Sequence, residues 1–305
     1  MASRTSSDVD TVTTVPSRTT FHDRSVSLSN FLHNSREGTF FYKTPARWCK
    51  LIGFYFIFYS ALFCFTAGLL AAVYNILDWN YPSMRGPESI FRGNPGLSFR
   101  PNPDYDSTLI RYVKGDGPTT RKYIDHLEAY IRFYENKNQI GDNFAVCEAI
   151  VRREQREKVC RFDIKTLGGN CVKQQNYGYD DGMPCVLLKL NKIFDWEPVP
   201  YNLSEVPEEI KDSYKEYAIK VTCKGELPAD RENLGDISYY PNEGFHFKYY
   251  PYLNQQGYRS PLVFVQFENP KTGILLMIEC KAWAKNIIHN RLQKLGTIHF
   301  ELLID

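Results

Sequence analysis

Cysteines are the residues of this chain that are best suited to covalent chemistry. The 305 residues include eight of them, and only Cys49 and Cys64 lie before residue 78. The other six are Cys147, Cys160, Cys171, Cys185, Cys223 and Cys280. Six cysteines in a lumenal or extracellular domain indicate three disulfides, although the count alone leaves their pairing open. Zinc binding is the alternative, but no CxxC or CxxH spacing occurs among the six, so disulfides are favoured.

Motifs for enzyme catalysis are weak. The chain has no HExxH, GxSxG or P-loop pattern. Asp104-Tyr105-Asp106 has the DxD form with which Golgi glycosyltransferases hold a metal and a sugar nucleotide. It lies in a proline-rich stretch with no Rossmann-like half before it, so a type II Golgi glycosyltransferase is a minor alternative. The sequence therefore predicts no catalytic residue, no cofactor and no metal ligand.

One asparagine is a candidate for covalent modification. Asn202-Leu203-Ser204 is the single N-glycosylation sequon of the chain, and it lies in a loop bounded by prolines. A sequon often occurs by chance. A glycan is predicted at Asn202 because the membrane topology derived below places this loop on the lumenal side.

An apolar stretch, residues 51–77, determines on which side of a membrane the other regions of the chain lie. It has no charged residue between Lys50 and Asp78, and a helix needs about 20 apolar residues to cross a bilayer. A helix also satisfies its own backbone hydrogen bonds in hydrocarbon. A buried core helix rarely runs this long without a charge, and the stretch is too long for the apolar region of a signal peptide. We therefore predict a transmembrane helix over residues 51–77, in contact with membrane lipid.

The charges that flank this span predict its orientation. Lys43, Arg47 and Lys50 precede the span, whereas Asp78 follows it and the next basic residue is Arg85. Basic residues stay on the cytoplasmic side of a membrane. The sequence thus predicts a single-pass type II protein with a cytoplasmic N-terminus and an extracellular C-terminus.

Two faces of the span differ in composition. One helical face, at positions i, i+4, i+7 and i+11, carries Tyr55, Tyr59, Leu62 and Thr66. The small residues of roughly the opposite face are Ser60, Cys64, Gly68 and Ala72. Small residues let a second helix approach closely, and tyrosines inside a membrane favour a hydrogen-bond partner. A simple anchor with both faces toward lipid is the alternative, and the pattern alone does not decide between them.

Composition separates the rest of the chain into three regions. Residues 1–50 begin with a stretch rich in Ser, Thr and Asp, which is typical of a largely disordered cytoplasmic tail. Residues 78–118 are rich in proline and glycine, which predicts an extended, largely irregular extracellular linker. Residues 119–305 are long enough for one sizeable ectodomain core. The net charge of +2 gives no indication of nucleic-acid binding.

The ectodomain has the pattern of a mainly antiparallel β-sandwich with one flanking helix. Residues 118–137 place an apolar stripe, which includes Tyr123 and Leu127, on one side of a predicted helix. Alternation with a period of two follows from Asn143 onward, and no βαβ repeat appears, so a parallel sheet is not expected.

Two of the predicted strands carry cysteines. Cys223 and Cys280 each share a strand face with apolar residues, as partners in a buried bridge between strands should. The turn at 269–273 is a hairpin signal, and it predicts that the strand before it pairs with the strand that contains Cys280.

An ordered set of short motifs resembles a known family. The motifs are FYFIFY at 54–59, PGL and SFRP within 95–101, LKLNKI at 188–193, YYPY at 249–252, PLVFVQF at 261–267 and ECKAW at 279–283. With type II topology and six lumenal cysteines, the chain is similar to the β subunits of the Na⁺/K⁺-transporting ATPase and of the related H⁺/K⁺-ATPase. It looks most similar to invertebrate members, including the nervana type.

The resemblance implies a non-catalytic subunit at the plasma membrane with an immunoglobulin-like ectodomain. Such a subunit assembles with the catalytic α subunit, supports its folding and delivery, and modulates potassium and sodium transport. A small single-span regulatory subunit is a further implied partner. The face that begins at Tyr55 and Tyr59 would contact the α subunit, and the implied disulfides are Cys147–Cys160, Cys171–Cys185 and Cys223–Cys280. A type II adhesion or receptor glycoprotein, which would share topology, disulfides and fold, is the main alternative.

Overall fold

The computed structural model describes residues 33–34, 38–41, 43–89, 93–147 and 158–305. The chain divides into two compact units, residues 1–77 and residues 78–305. Most of the predicted cytoplasmic tail, residues 1–32, lies outside the described residues.

The first unit is dominated by one long helix, α1, over Pro45–Ile76. It begins at Pro45 rather than at Leu51, because Thr44 is extended and a proline in the first helical turn is preorganised for helix. Arg47 and Lys50 therefore belong to the helix, so its apolar part starts one to two turns inside it. Among the described residues, α1 is the one helix long and apolar enough to cross a membrane.

Most of the strands lie in the second unit. In chain order the strands of the described residues are β1 His33–Asn34, β2 Thr39–Phe40, β3 Leu97–Arg100, β4 Leu109–Tyr112, β5 Phe144–Ala145, β6 Val159–Cys160, β7 Cys185–Leu190, β8 Ala218–Gly225, β9 Ile237–Tyr240, β10 Phe245–His246, β11 Leu262–Phe267, β12 Leu275–Trp283 and β13 Thr297–Ile304. Strands β1 and β2 pair with each other in the first unit. The two further helices of the described residues are α2 Gly117–Ile131 and α3 Pro228–Asn233.

Two larger sheets form the ectodomain. A five-stranded sheet has the order β10-β8-β12-β13-β4, and a four-stranded sheet has the order β3-β7-β11-β9. Every pairing in them is antiparallel except that of β13 with β4, which is parallel. The prediction of a mainly β, mainly antiparallel ectodomain is therefore confirmed.

The region 78–118 differs from the irregular linker that its prolines predicted. It contributes β3, which pairs with β7, and β4, which pairs with β13 near the C-terminus of the chain. The prolines lie outside these short strands, where they remove no ladder hydrogen bond. The compact ectodomain thus begins well before residue 119.

The predicted hairpin at 269–273 is wrong. Strand β11 pairs with β7 and β9, whereas β12 pairs with β8 and β13. The turn therefore carries the chain from one sheet to the other, because both edges of β11 are already occupied. A turn motif specifies a reversal of direction, and it does not specify which strand becomes the neighbour.

The core lies where aromatic side chains of the two sheets meet. Phe300 of β13 stacks on Phe99 of β3 with ring centroids 5.0 Å apart, and it also contacts Phe267 of β11 edge to face. Helix α2 adds Tyr123, whose hydroxyl both accepts from the backbone N–H of Arg111 and donates to its carbonyl. The predicted stripe on α2 is thus buried, although the helix ends at Ile131 and continues as short 3₁₀ turns.

A tight turn before β7 gives a stability prediction. Gly178 has φ +75°, and a Cβ there would lie 2.0 Å from the carbonyl oxygen of Met183, whereas Gly115 has φ +76° with open space around it. We expect Gly115→Ala to cost about 1 kcal/mol from its left-handed backbone alone. Gly178→Ala should cost roughly 2 kcal/mol more, because the backbone has to move to relieve the overlap.

Thermal unfolding of the purified wild-type chain and the two variants measures this difference. Equal melting temperatures for Gly178→Ala and Gly115→Ala would show that the turn yields to the added methyl group.

Candidate membrane interface and ectodomain sites

Helix α1 leaves its side chains accessible along its length, although Phe41 contacts Trp48 edge to face near its N-terminus. None of its residues is buried. Near the N-terminal end of its apolar part, the rings of Tyr55 and Tyr59 stack with centroids 5.9 Å apart and planes inclined by 23°. Spacing of four residues places them on successive turns of one face. The pair forms a flat aromatic surface with two hydroxyl groups.

This aromatic surface continues into the small-residue face. One shallow depression of the helix is lined by Trp48, Leu51, Ile52, Tyr55, Phe56, Tyr59, Ser60, Phe63 and Cys64. The structure therefore brings the two predicted tyrosines together with the first two residues of the small-residue stripe. The sequence placed the two faces roughly opposite each other, yet they adjoin at this depression.

Leu62 and Thr66, the other two predicted interface residues, do not line the depression. The hydroxyl of Thr66 donates to the carbonyl of Leu62 at 2.8 Å within the helix. Because the hydroxyl proton of Thr66 is already donated within α1, the side chain can only accept a hydrogen bond from a neighbouring helix. Asn75, the last residue but one of α1, likewise donates to the carbonyl of Ala71 at 2.7 Å.

The six ectodomain cysteines form three bridges: Cys147–Cys160, Cys171–Cys185 and Cys223–Cys280. These are the pairs that the family resemblance implied. The third joins directly opposed residues of neighbouring strands β8 and β12, with Cα atoms 4.0 Å apart. Cys49 and Cys64 are free and exposed on α1.

The sequon lies in an exposed turn. The side-chain amide of Asn202 donates to the carboxylate of Glu205 at 3.2 Å, and this carboxylate is bonded to the ammonium of Lys285 at 2.8 Å. The bond from Lys285 is the largest cause of the lowered pKa of Glu205. The amide nitrogen of Asn202, to which a glycan would be attached, is therefore accessible at the surface and makes one exposed side-chain hydrogen bond.

The Asp104-Tyr105-Asp106 segment is also exposed. Its nearest charged partner is Lys122, whose ammonium lies 3.9 Å from the carboxylate of Asp104. Among the residues that the structure describes, no three His, Cys, Asp or Glu side chains are grouped in a way that could hold a metal ion.

Sequence reasoning missed a cluster of aromatic and basic side chains at the start of the second unit. Phe194 contacts Tyr81 at 5.7 Å and Tyr252 at 6.5 Å between ring centroids. The guanidinium of Arg85 lies 5.0 Å from the ring of Phe194, and the ammonium of Lys192 lies 5.1 Å from that of Tyr252. Cation–π contacts of this kind stabilise a surface that also exposes aromatic edges. The YYPY motif, which contains Tyr252, was the available sequence signal for this cluster. The cluster was missed because Tyr81 and Arg85 lie in residues 78–118, which were interpreted as an irregular linker.

These features define a class of protein. Its described residues combine one helix long and apolar enough to span a membrane with a disulfide-bonded, mainly β domain.

Comparison with known proteins narrows the class to one family. Residues 18–300 match the family described as the sodium/potassium ATPase beta chain. The chain is 38% identical over 299 residues to the sodium/potassium-transporting ATPase subunit beta-2 of Drosophila melanogaster, with 92% of each chain covered. It is 35% identical over 285 residues to the probable sodium/potassium-transporting ATPase subunit beta-3 of Caenorhabditis briggsae, covering 92% of this chain and 87% of the relative. The human subunit beta-2 is 26% identical over 296 residues, with 90% and 93% covered.

The chain belongs to the sodium/potassium ATPase β-chain family, the non-catalytic subunits of the pump. The resemblance to invertebrate members is confirmed, since the identities to the fly and nematode proteins exceed the identity to the human one. The adhesion, receptor and glycosyltransferase alternatives are not favoured.

Proposed function

We propose that this chain assembles with the catalytic α subunit of a Na⁺/K⁺-transporting P-type ATPase, supports its folding and delivery to the plasma membrane, and modulates potassium and sodium transport. The family match supports this proposal because it runs through both units of the chain. The observation that carries it is that α1 is long and apolar enough to span a membrane and has no buried residue. A helix with stacked tyrosines beside small residues has the means to pack against other membrane helices.

The proposed contact surface in the membrane is the face with Tyr55, Tyr59, Leu62 and Thr66. The tyrosines would supply the specific contacts and Leu62 would add packing area. Membrane lipid would cover the remaining surface of α1, and a small single-span regulatory subunit is a further proposed partner of the assembled pump.

The proposed topology is type II, with residues 1–50 as a cytoplasmic tail, residues 51–77 in the membrane and everything after residue 78 extracellular. Arg47 and Lys50 in the first turns of α1 and Asp78 after its end support this orientation. Within the ectodomain, residues 78–118 would lead into the domain of residues 119–305, although two strands of the sheets already lie in the first of these segments.

For the ectodomain we propose a sandwich of the immunoglobulin-like type. Two sheets whose aromatic side chains meet at Phe300 support face-to-face packing. The crossing from β11 to β12 between sheets also supports it, since sandwich folds change sheets through such connections.

Purification of the tagged chain from native membranes in mild detergent tests the assembly. We expect an α subunit of a P-type ATPase to co-purify in equal amount, identified by mass spectrometry, and to hydrolyse ATP in response to potassium. Recovery of the chain without any P-type ATPase, but with clustering of cells that express it, would support the adhesion alternative and contradict the proposal.

The topology gives a second prediction, at the sequon. Wild-type chain should migrate faster after treatment with a glycosidase, and Asn202→Gln should migrate at that faster position without treatment. An engineered sequon provides the control, because Asn138→Thr places a threonine two residues after Asn136, on an exposed turn of the ectodomain. If neither Asn202 in the wild type nor Asn136 in the Asn138→Thr variant receives a glycan, the ectodomain does not enter the lumen and the orientation is reversed.

A further inference from the structure

The ectodomain contains a cavity of about 530 Å³ between the end of α2 and the loops that precede β7. Its apolar lining comes from Ile131, Ile164, Leu167, Val172, Tyr177 and Phe264. A concave site of this volume, with an apolar lining and a few polar groups, is typical of small-molecule binding. The cavity lies entirely in the second unit, and it takes no part in the membrane contact proposed above.

The cavity wall around Tyr177 is held in a fixed shape. Asn176, Tyr177 and Gly178 have φ of 46°, 53° and 75°, three successive residues in the left-handed region. A bulky residue rarely adopts this conformation and keeps it only where its surroundings enforce it. The ring of Tyr177 packs on that of Phe264 at 5.8 Å, and Cys171, which also lines the cavity, is tied to Cys185 of β7. The aromatic surface is therefore formed before any ligand arrives.

The hydroxyl of Tyr177 is a neutral donor at this surface. Burial, followed by the nearby carboxylate of Glu128, raises its pKa to about 12. Within the described part of the chain the hydroxyl has no hydrogen-bond partner. It can therefore donate to an oxygen atom of a bound molecule at physiological pH.

The charges at the rim favour an anion. Glu128 is bonded to Lys173 at 2.6 Å, and Glu135 is bonded to Lys137 at 2.6 Å, so both carboxylates of the rim are already paired. Arg132 and Lys165 are exposed at the rim, and their charged groups form no ion pair or hydrogen bond among the residues described, although Arg132 lies close enough to Glu135 to help lower the pKa of that carboxyl. Two cations that form no ion pair, beside an apolar cavity, attract a negatively charged group and leave an apolar body to the interior.

We propose that this cavity binds an organic monoanion with an aromatic or fused-ring body and one sulfate, sulfonate or carboxylate group. The ring system lies against Tyr177 and Phe264, and the anionic group lies at the rim between Arg132 and Lys165. The proposal is independent of the subunit function, because it rests on the ectodomain alone.

Titration of naphthalenesulfonate against the chain, in complex with its α subunit in lipid nanodiscs, tests the site by saturation-transfer NMR. The neutral naphthalenesulfonamide is the matched ligand, since it keeps the rings and lacks the charge. We expect saturable binding of the sulfonate. Arg132→Gln/Lys165→Gln should weaken it roughly fivefold to tenfold, the range for two exposed charge contacts, and should leave the sulfonamide unchanged. Arg121→Gln is the control, because it removes a cation of α2 that is already paired with Asp125 and does not line the cavity.

A second variant tests the location without altering charge. Val172 is half-buried at the cavity wall in extended backbone, where an aromatic residue is also accommodated. Val172→Trp should fill the space and abolish binding of both ligands. Binding that survives Val172→Trp, or that is equally strong for sulfonate and sulfonamide in the wild type, would overturn the proposal.

Discussion

The Cys280→Ser variant, expressed together with the α subunit, is expected to remain in the endoplasmic reticulum, whereas Cys160→Ser should reach the surface in appreciable amount. The bridge Cys223–Cys280 spans 57 residues of sequence, and Cys147–Cys160 spans 13. In the chain-entropy description, a loop of the first size contributes about 4 kcal/mol to folding stability and a loop of the second size about 3 kcal/mol.

The location of the longer bridge adds to this difference. Cys280 is fully buried in β12, the central strand of the five-stranded sheet, which is flanked by β8 and β13. A serine hydroxyl there would lack the water that solvates it in the unfolded chain, which costs about 1–3 kcal/mol. Cys160 lies in the two-residue strand β6, which pairs only with β5 among the described strands. Losses of this size are comparable with the whole stability of many domains.

A double variant separates the loss of the bridge from the buried hydroxyl. Cys223→Ala/Cys280→Ala removes the bond and leaves neither a free thiol nor a new polar group. Surface biotinylation should show it delivered better than Cys280→Ser and worse than wild type. Delivery of Cys280→Ser at the wild-type level would mean that the sheet holds β8 and β12 together without the bond.

Local patterns predicted the faces of the long strands correctly. In β12 the alternating residues Leu276, Ile278 and Cys280 are buried as expected, and in β13 so are Phe300 and Leu302. The reason is that burial on one side of a sheet gives the sequence a period of two. The amphipathic stripe of α2 was predictable for the same reason, because burial of one helix face gives the sequence a helical period.

Strand neighbours were not predictable in the same way. Strand β4 pairs with β13 across nearly two hundred positions, with Leu302 opposite Ile110. Nothing in the four residues of β4 encodes its partner, and its prolines and glycines on either side are equally compatible with a linker. The turn at 269–273 likewise has the composition of a hairpin, although it joins two sheets. Pairing of this kind depends on the whole core and not on a short segment.

The ectodomain cavity was also outside the reach of sequence patterns. Tyr177 lines it only because three consecutive residues adopt left-handed backbone, and of these only Gly178 is of a type that does so freely. By contrast, the tyrosines of the span could be assigned to one face from their spacing alone, and the helix stacks them as a pair. A regular helix fixes the direction of every side chain, whereas a turn does not.

The Tyr55→Ala/Tyr59→Ala variant is expected to lose the α subunit in harsher detergent and to shift the potassium activation of pump turnover. Between helices in lipid there is little hydrophobic drive, so association depends on close packing and hydrogen bonds. Each interhelical hydrogen bond contributes roughly 0.5–2 kcal/mol. The double variant removes two hydroxyls and the stacked surface, while any contact made by the ectodomain stays. The complex should therefore loosen without dissociating in mild detergent.

Two comparisons identify which part of the helix makes the contact. Tyr55→Phe/Tyr59→Phe keeps the rings and removes only the hydroxyls, so a loss of α subunit similar to that of the alanine variant would assign the effect to hydrogen bonds. Gly68→Leu enlarges the small-residue face two turns beyond Ser60 and leaves the tyrosines in place. Retention of the α subunit is measured through a series of detergent washes, with potassium activation recorded on the same preparations. If the tyrosine variants behave as wild type while Gly68→Leu dissociates, the small-residue face is the interface. The stacked tyrosines would then face lipid, and the depression that joins the two faces at Ser60 and Cys64 would mark the edge of the contact instead of its centre.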